Sequence, residues 1–552
     1  GHAAGLNNTT GSQNTFVGSF SGDNTTTGDN NTFIGYHSGD QNSTGFVNTF
    51  VGAGSGEKNT TGAGNVAVGF QTGFNTTTPN ANTSIGYEAL HENVTGFSNY
   101  AGGFQALFNN LSSQNTASGY QALSNTSTGF NNVADGFQAG IGNTTGFQNT
   151  FIGALTGNAA STGSNNTFLG YHSGRNNTAD QETFVGAGAG EGNTSGIGNT
   201  ALGFQAAFNN ATGSQNTSVG YNAGWSNVAS DNNTSIGYQA GFNSTSIQNT
   251  FVGSFSGFTN TTGFSNSALG YNTLFLNSTG NNNTALGWQA LGNQTAGSRN
   301  TGTGVNAILA NNAGNDNTGN GYAALLNAQG NQNTATGSQA LQFAQGADNT
   351  AVGYSAGITD ATGTNNTYVG SQADAIANNL TNASAIGSGA SVCASNTMVF
   401  GNTSVVGWGF GVCPNAANAI EVGTNGTNGN GASLTVGGTW TNGSSRSFKD
   451  RFSPVNGQEV LEKIAGLNIQ GWYYKGTNEY HIGPIAEDFY AAFRTGSQDN
   501  QSYSSMHIST IDPSGVAIVA IQELKKENDA LKTELQQMKQ ELQEIKQMLK
   551  KN

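Results

Sequence analysis

The 552-residue sequence has few charged residues, 5 prolines and 2 cysteines. Charged residues make up 8% of the chain, against about 25% in a typical soluble domain, so uncharged polar side chains must form most of the hydrated surface. This composition argues against a standard enzyme. The 16 basic residues are outnumbered by 30 acidic ones, and the resulting net charge of −14 excludes a cationic surface for nucleic acid. No apolar run reaches the roughly 18 residues of a membrane span, so we expect no membrane insertion.

Glycine is abundant, with 83 residues, and many of these recur at a fixed spacing. The motif Asn-Thr-x-(Val/Ile/Leu)-Gly first occurs at residues 14–18. Its final glycine recurs at 24 positions, from Gly18 and Gly35 to Gly387 and Gly401. The spacing is 16 or 17 residues until a final step of 14. Such a strict period excludes disorder and predicts one β-solenoid coil per repeat. At about 4.8 Å per coil, the shaft is expected to be about 110 Å long.

Each repeat contains a short predicted strand with apolar residues on both faces. Thr32 and Ile34 should lie on one face and Phe33, at the variable position x of the motif, on the other. A coil has one interior, so we expect a second buried surface outside it, most simply through self-association. The turn-forming segments between strands, such as residues 22–28, are expected on the outside.

The aliphatic position of the motif is interrupted in two blocks of three successive coils. We expect these coils to be weaker, with hydrogen-bonded polar ladders favoured over a kink or a bound ligand. The interrupting residues are Gly102, Ser118 and Asp135, then Thr303, Asn320 and Thr336.

The repeats resemble the head repeats of trimeric autotransporter adhesins (YadA-like). The resemblance is carried by residues 383–390, Ala-Ser-Ala-Ile-Gly-Ser-Gly-Ala, and residues 394–401, Ala-Ser-Asn-Thr-Met-Val-Phe-Gly. It implies a β-roll in which three chains pack side by side, and this packing would give position x its second buried surface.

Charge density marks a domain boundary near residue 444. Residues 1–443 hold 3 of the 16 basic residues, whereas residues 444–552 hold the other 13 together with 14 acidic ones. We divide the chain into a repeat shaft (1–401), a β connector (402–443), a small α+β domain (444–516) and a C-terminal helix (517–552). Cys393 and Cys413 lie near the junction, and a disulfide, two free buried thiols and an interchain bond all remain open.

The C-terminal segment has a heptad pattern that predicts a parallel coiled coil, with a lone solvated helix as the alternative. Glu527, Glu534 and Glu541 fall at g positions, and lysines occupy the following e positions, which favours an in-register oligomer. The a and d positions are Ile521, Leu524, Asn528, Leu531, Leu535, Met538, Leu542, Ile545 and Leu549.

Residues 444–552 resemble the C-terminal intramolecular chaperone domain of phage endosialidases and tail fibres, also found in myelin regulatory factor. The matching motifs are Ser-x4-Lys at 444–449, His-Ile-Gly-x-Ile-Ala at 481–486 and Ala-Ile-Gln-Glu-Leu at 520–524. The resemblance implies that the domain trimerises, assists folding of the shaft and then cleaves itself off before its first serine.

Carried onto this sequence, the resemblance makes Ser444 the nucleophile, Lys449 its base and Gly443-Ser444 the scissile bond. A lysine partly desolvated at an oligomer interface can act as a base for a serine hydroxyl. Ser445 is the lesser candidate nucleophile, and a polar loop that merely opens a domain is the alternative. His481 is interpreted as a structural residue. The more specific alternative is that it orients the cleavage site. The chain departs from the family at Ser445 and Ser447, where many members carry Asp and Arg.

The sequence therefore predicts a mainly β homotrimer: a parallel β-solenoid shaft that acts as a surface adhesin or tail-fibre-like display element. We expect an extracellular, cell-surface or virion location, a cell-surface or glycan receptor, and no cofactor or metal. One alternative is a glycan-degrading spike, although its paired carboxylates are absent from the pattern. Another is an ice- or surface-binding solenoid that uses the Asn-Thr ladders.

Overall fold

The computed structural model describes residues 1–410, 418–422, 432–443, 446–496 and 501–551. The chain divides into two compact units, Gly1–Val405 and Val406–Asn552. The mainly β prediction is confirmed: the first unit is a parallel β-solenoid of about 23 turns, and the second is a small α+β region.

The solenoid sheet has 24 strands, each one coil from the next. Successive strands pair in parallel without a register shift, so that Thr15, Phe16 and Val17 lie beside Thr32, Phe33 and Ile34. Strands β1 to β22 are Thr15–Val17, Thr32–Ile34, Thr49–Val51, Val66–Val68, Thr83–Ile85, Tyr100–Gly102, Thr116–Ser118, Val133–Asp135, Thr150–Ile152, Thr167–Leu169, Thr183–Val185, Thr200–Leu202, Thr217–Val219, Thr234–Ile236, Thr250–Val252, Ser267–Leu269, Thr284–Leu286, Thr301–Thr303, Thr318–Asn320, Thr334–Thr336, Thr350–Val352 and Thr367–Val369. Strands β23 to β26 are Asp374–Ala375, Ser384–Ile386, Ser391–Val392 and Met398–Phe400, of which β23 and β25 form a separate two-stranded pair.

The central strand residue, position x, points into the coil. Phe33, Phe151 and Phe168 are fully buried, whereas the third strand residue is exposed, as at Ile34 and Leu169. The expectation that position x would meet a neighbouring chain is therefore wrong. Strand alternation alone could not decide the orientation, because both faces are apolar.

Interior volume is balanced between position x and the residue six positions later. Where x is phenylalanine the second position is glycine: a Cβ on Gly39 would lie 2.7 Å from Cδ2 of Phe33. In five of the ten coils where x is alanine, a leucine fills the space, as Leu107 does beside Ala101, and both of these side chains are fully buried. The two positions together keep the core near close packing.

An asparagine ladder closes the polar part of the interior. The Asn31 backbone N–H donates to Oδ1 of Asn14, 2.9 Å away, and the Asn48 N–H donates to Oδ1 of Asn31 in the same way, 3.0 Å away. The Asn31 amide group also donates to the Gly45 carbonyl oxygen at 2.9 Å. These side chains pair backbone groups that would otherwise be buried without partners.

The repeated glycines form one corner of every coil. Gly35 has φ of 143°, and a Cβ there would lie 2.3 Å from the carbonyl oxygen of Gly52 in the next coil. Any side chain would collide with the stacked backbone, so glycine is required at this corner.

The turn segments are only partly outside, contrary to expectation. Thr25, Asn42 and Asn177 are fully buried and alternate with exposed neighbours. The predicted weakness of the six interrupted coils also loses its basis, because their interrupting residues lie on the outward side. Their inward residues, such as Ala101 and Ala134, are fully buried.

The second unit begins with a four-stranded sheet. β27 (Trp408–Phe410) pairs in parallel with β28 (Asn418–Val422), which continues antiparallel through β29 (Ala432–Thr435) and β30 (Trp440–Asn442). The remaining elements are a 3-10 helix (Arg446–Phe448), α1 (Gly457–Ala465), β31 (Ile469–Tyr473), β32 (Tyr480–Pro484), α2 (Ala486–Phe493), α3 (Gln501–Met506) and α4 (Asp512–Leu549).

Candidate processing and assembly site

The predicted cleavage site lies between a strand and a short helix. β30 ends at Asn442, Gly443 is exposed, and the 3-10 helix begins at Arg446. Ser444 and Ser445 lie outside the described residues. The Lys449 backbone N–H donates to the Arg446 carbonyl oxygen at 3.3 Å, and the Lys449 side chain is exposed. The dyad of Ser444 and Lys449 stays a prediction.

His481 lies in the antiparallel hairpin of β31 and β32, directly opposite Trp472. Its ring stacks on the Trp472 ring with centroids 4.6 Å apart and planes 23° apart, and it meets the Tyr474 ring edge-on at 5.6 Å. The described residues offer no hydrogen-bond partner to His481 Nε2 or Trp472 Nε1, although both atoms are buried. These ring contacts thus hold His481 within its own hairpin. The sequence alone does not reveal that Trp472 faces His481, because this pairing depends on the register of the hairpin.

Two short helices, α1 and α2, flank this hairpin in the sequence. Asn456 caps α1, accepting hydrogen bonds from the backbone N–H groups of Gln458 and Glu459. In α2, Phe489 and Tyr490 are buried. α1 also packs against α4, so the long helix is connected to the segment that follows the predicted cleavage site.

The heptad residues of α4 lie on one continuous 38-residue helix. Their apolar members are 47% to 72% exposed, far more than core residues, so the described residues of this unit leave a long apolar stripe uncovered. The helix is confirmed, and the coiled coil stays a prediction. The stripe consists of Ile521, Leu524, Leu531, Leu535, Met538, Leu542, Ile545 and Leu549, with the polar Asn528 between them.

Two buried carboxylates in the shaft have structural hydrogen bonds rather than a catalytic arrangement. Glu182 replaces asparagine in the ladder and accepts from the Asn199 backbone N–H at 2.9 Å. Burial raises the pKa of Glu182 to about 8, opposed by the hydrogen bonds from Asn199. Asp360 accepts from the Tyr368 hydroxyl at 2.9 Å and from the Asn379 N–H at 2.6 Å. Burial, followed by the Asp360 charge, raises the pKa of Tyr368.

The remaining site expectations concern thiols, metals and membrane spans. Cys393 is a free, exposed thiol, so the buried-thiol alternative is wrong for this residue, and Cys413 lies outside the described residues. Within the described part of the chain, no cluster of three or more His, Cys, Asp or Glu residues has a metal-binding arrangement. No described helix combines the length and apolarity needed to cross a membrane.

Comparison with known proteins assigns one segment. Residues 444–495 match the family model of peptidase S74, the chaperone of endosialidase. No curated protein and no solved structure matches the chain. The resemblance of the repeats to trimeric autotransporter heads therefore stays a prediction.

Proposed function

We propose that this chain forms a homotrimeric, tail-fibre-like display shaft, assembled by its own C-terminal chaperone and then released by self-cleavage. The observation that carries the proposal is the position of the chaperone-of-endosialidase match. It begins at Ser444, behind a shaft and connector of 443 residues. A chaperone segment behind a β-solenoid fits a tail-fibre-like protein with an intramolecular chaperone.

Trimerisation is supported by the uncovered heptad stripe of α4. A solvated 38-residue helix leaves its leucines and isoleucines in water unless other chains cover them. Asn528, at an a position, would fix the register of the helices at some cost in stability. Chains joined at this helix would start shaft folding at a common end.

The cleavage chemistry requires only groups of this chain and water. The Ser444 hydroxyl oxygen attacks the Gly443 carbonyl carbon, and Lys449, as the free amine, accepts the hydroxyl proton. The carbon–nitrogen bond breaks as the proton passes to the departing amino group, which leaves an ester on Ser444. Water then hydrolyses this ester and yields a Gly443 carboxylate and a new N-terminus at Ser444.

The location follows from the chaperone family, which suggests a virion or another extracellular setting. We place the shaft there as an adhesin or display element that presents its distal part to a cell-surface or glycan receptor. Its near-absence of basic residues keeps it from nucleic acid.

The alternatives receive unequal support. The buried acids Glu182 and Asp360 are tied into structural hydrogen bonds, so neither supports the pair of catalytic carboxylates that a glycan-degrading spike needs. One observation supports an ice- or surface-binding solenoid: strand threonines such as Thr301 and Thr303 lie on the outward side. The aliphatic and aromatic rows on the outside of the coils favour packing against protein instead.

Denaturing gel electrophoresis of freshly folded protein tests the cleavage. We expect the wild-type chain to yield fragments of 443 and 109 residues, and Ser444→Ala and Lys449→Arg to remain intact, because arginine cannot serve as the base. Ser445→Ala is the matched control and should be processed normally. An intact wild-type chain, or normal cleavage of Ser444→Ala, would refute this part of the proposal.

A further inference from the structure

The shaft exposes an apolar surface that runs along its whole length. We call it the outward face and define it by two rows, the third residue of each sheet strand and the residue that follows each corner glycine. In the first row 18 of 24 residues are aliphatic or aromatic. The large exposed aromatic residues of the second row are Tyr36, Phe70, Tyr87, Phe104, Tyr120, Phe137, Tyr171, Phe204, Tyr221, Tyr238, Tyr271, Trp288, Tyr322 and Tyr354.

The outward face is larger than the apolar patches of ordinary monomers. The 14 aromatic side chains are 37% to 57% exposed. With about 150 to 250 Å² for a whole ring, they expose roughly 1,000 Å² or more between them. The largest patch on a typical monomer is about 300 to 600 Å², and a stable interface needs about 800 Å² from each partner. The aromatic row alone therefore has the area of a protein interface.

The chemistry of the outward face limits the kinds of partner that can bind it. Asp135 is the only charged residue in the 24 strands of the sheet, so charge attraction contributes little. The rings from Phe70 to Phe137 stack on one another at 5.0 to 5.2 Å, within 19° of parallel. Their flat faces are covered by one another and their edges remain, which does not suit stacking on sugar rings.

A second copy of this chain fits the outward face best. Apolar groups repeat along it at the strand spacing, about 4.8 Å, and a partner must match this spacing over many coils to cover it. Another copy of the shaft carries the same rows at the same spacing. The α4 stripe independently calls for further copies of the chain.

The two polar interruptions have no role inside a single coil. Gly102, Ser118 and Asp135 lie on the outward side, and so do Thr303, Asn320 and Thr336, while the inward residue of each of these strands is buried. A uniform apolar face would let two copies slide by one coil at little cost, since every coil offers similar contacts. The interruptions remove that symmetry, because a shifted copy sets polar residues against aliphatic ones.

We propose that copies of this chain pack in parallel through the outward face and that the two polar blocks fix their register. This inference rests on the proposed self-association and adds to it the surface and the alignment device. In register, the polar coils of one copy face those of the next and can retain water between them. A shift by one coil would place Asp135 against an apolar row, where a carboxylate is costly to bury.

Disulfide mapping resolves a shift of one coil, because a disulfide requires Cα atoms within about 7 Å. Single cysteines replace Val219, Tyr221, Ile236 or Tyr238 in full-length chains that also carry Cys393→Ser, Cys413→Ser and Ser444→Ala. Two of these single-cysteine variants, one isotopically labelled and the other unlabelled, are folded together and oxidised. The disulfide links between them are then identified by mass spectrometry. Coil-matched links pair positions 219 and 221, or 236 and 238, whereas coil-shifted links join the two sets.

The test variant replaces all six interrupting residues by valine. We expect coil-matched links to predominate in the parent and the ratio of coil-shifted to coil-matched links to rise at least about tenfold in the test variant, since one buried carboxylate outweighs that factor. The matched control adds six valines at first strand positions and leaves the blocks intact, so its ratio should not change. Its substitutions are T83V, T116V, T150V, T301V, T318V and T334V.

Each negative outcome has a separate meaning. Chains that stay monomeric would refute the proposed self-association. Oligomers that link only through cysteines placed in the exposed turns, for example at Thr27 and Thr44, would refute the outward face as the interface. Coil-matched links that persist unchanged in the six-valine variant would refute the register role alone.

Discussion

Glu182 should make the middle of the shaft less stable as the pH rises towards about 8. It takes an asparagine position in the interior ladder, is fully buried, and has a pKa raised from 4.5 to about 8 by burial. The protonated carboxyl supplies an O–H donor in place of the missing amide group. The ionised form leaves a buried charge that is held only by hydrogen bonds from neutral groups, those of Asn199 and the Gly198 backbone N–H.

The sign of the effect follows from the two pKa values. Between pH 4.5 and about 8 the folded coil holds a proton that the unfolded chain has released. The stabilisation by this proton is complete below pH 4.5, falls as the pH rises, and is lost above about pH 8. The loss is on the order of 5 kcal/mol across that window.

Hydrogen exchange in the three coils that contain β10 to β12 measures this loss of stability locally, once it is corrected for the intrinsic pH dependence of exchange. Wild type should lose protection between about pH 5 and pH 8 relative to distant coils, whereas Glu182→Gln should not. Glu182→Asn restores the ladder residue and should be at least as protected as Glu182→Gln at pH 9. Equal protection of wild type and Glu182→Gln at pH 9 would refute the burial argument.

Two further pairs of variants test the inward and outward assignment of the coil residues, each measured by local hydrogen exchange. Gly39→Ala should destabilise its coil by about 2 to 4 kcal/mol through overlap with Phe33, whereas Gly73→Ala, with a similar φ and no neighbour closer than 3.4 Å, should cost only about 1 kcal/mol. Equal costs would contradict the volume balance. Phe168→Ala should cost its coil about 3 to 5 kcal/mol, while Leu169→Ala should leave the coil nearly unchanged and weaken assembly. The reverse order would show that the strand faces are assigned incorrectly.

The number and length of the coils were predictable from sequence because glycine is physically required at one corner. Gly35 combines a positive φ with close approach to the next coil. Each coil therefore needs a glycine at this corner, and the spacing of these glycines in the sequence gives the length of each coil. The heptad helix was predictable for a similar reason, since its apolar residues keep a strict spacing.

The direction of each strand face was not predictable from alternation, because Phe33 and Ile34 are both apolar. A usable signal was nevertheless present in the pairing of large and small residues six positions apart. Phe33 occurs with Gly39 and Ala101 with Leu107, as expected only if each pair shares one confined space.

The candidate cleavage site, Ser444 with Lys449, was predicted from the family resemblance carried by the Ser-x4-Lys motif. The chaperone match begins at the same serine. The stacking of His481 on Trp472 could not be predicted, because it depends on the cross-strand register of a hairpin whose loop carries no unique turn signature.

The mass of the assembled chain tests the central claim, that this shaft forms by association of identical chains. Sedimentation equilibrium of the full-length Ser444→Ala protein removes any loss of mass through processing. We expect a species of three times the 56.4 kDa chain mass that persists on dilution to nanomolar concentration. A single species at the mass of one chain would contradict the claim.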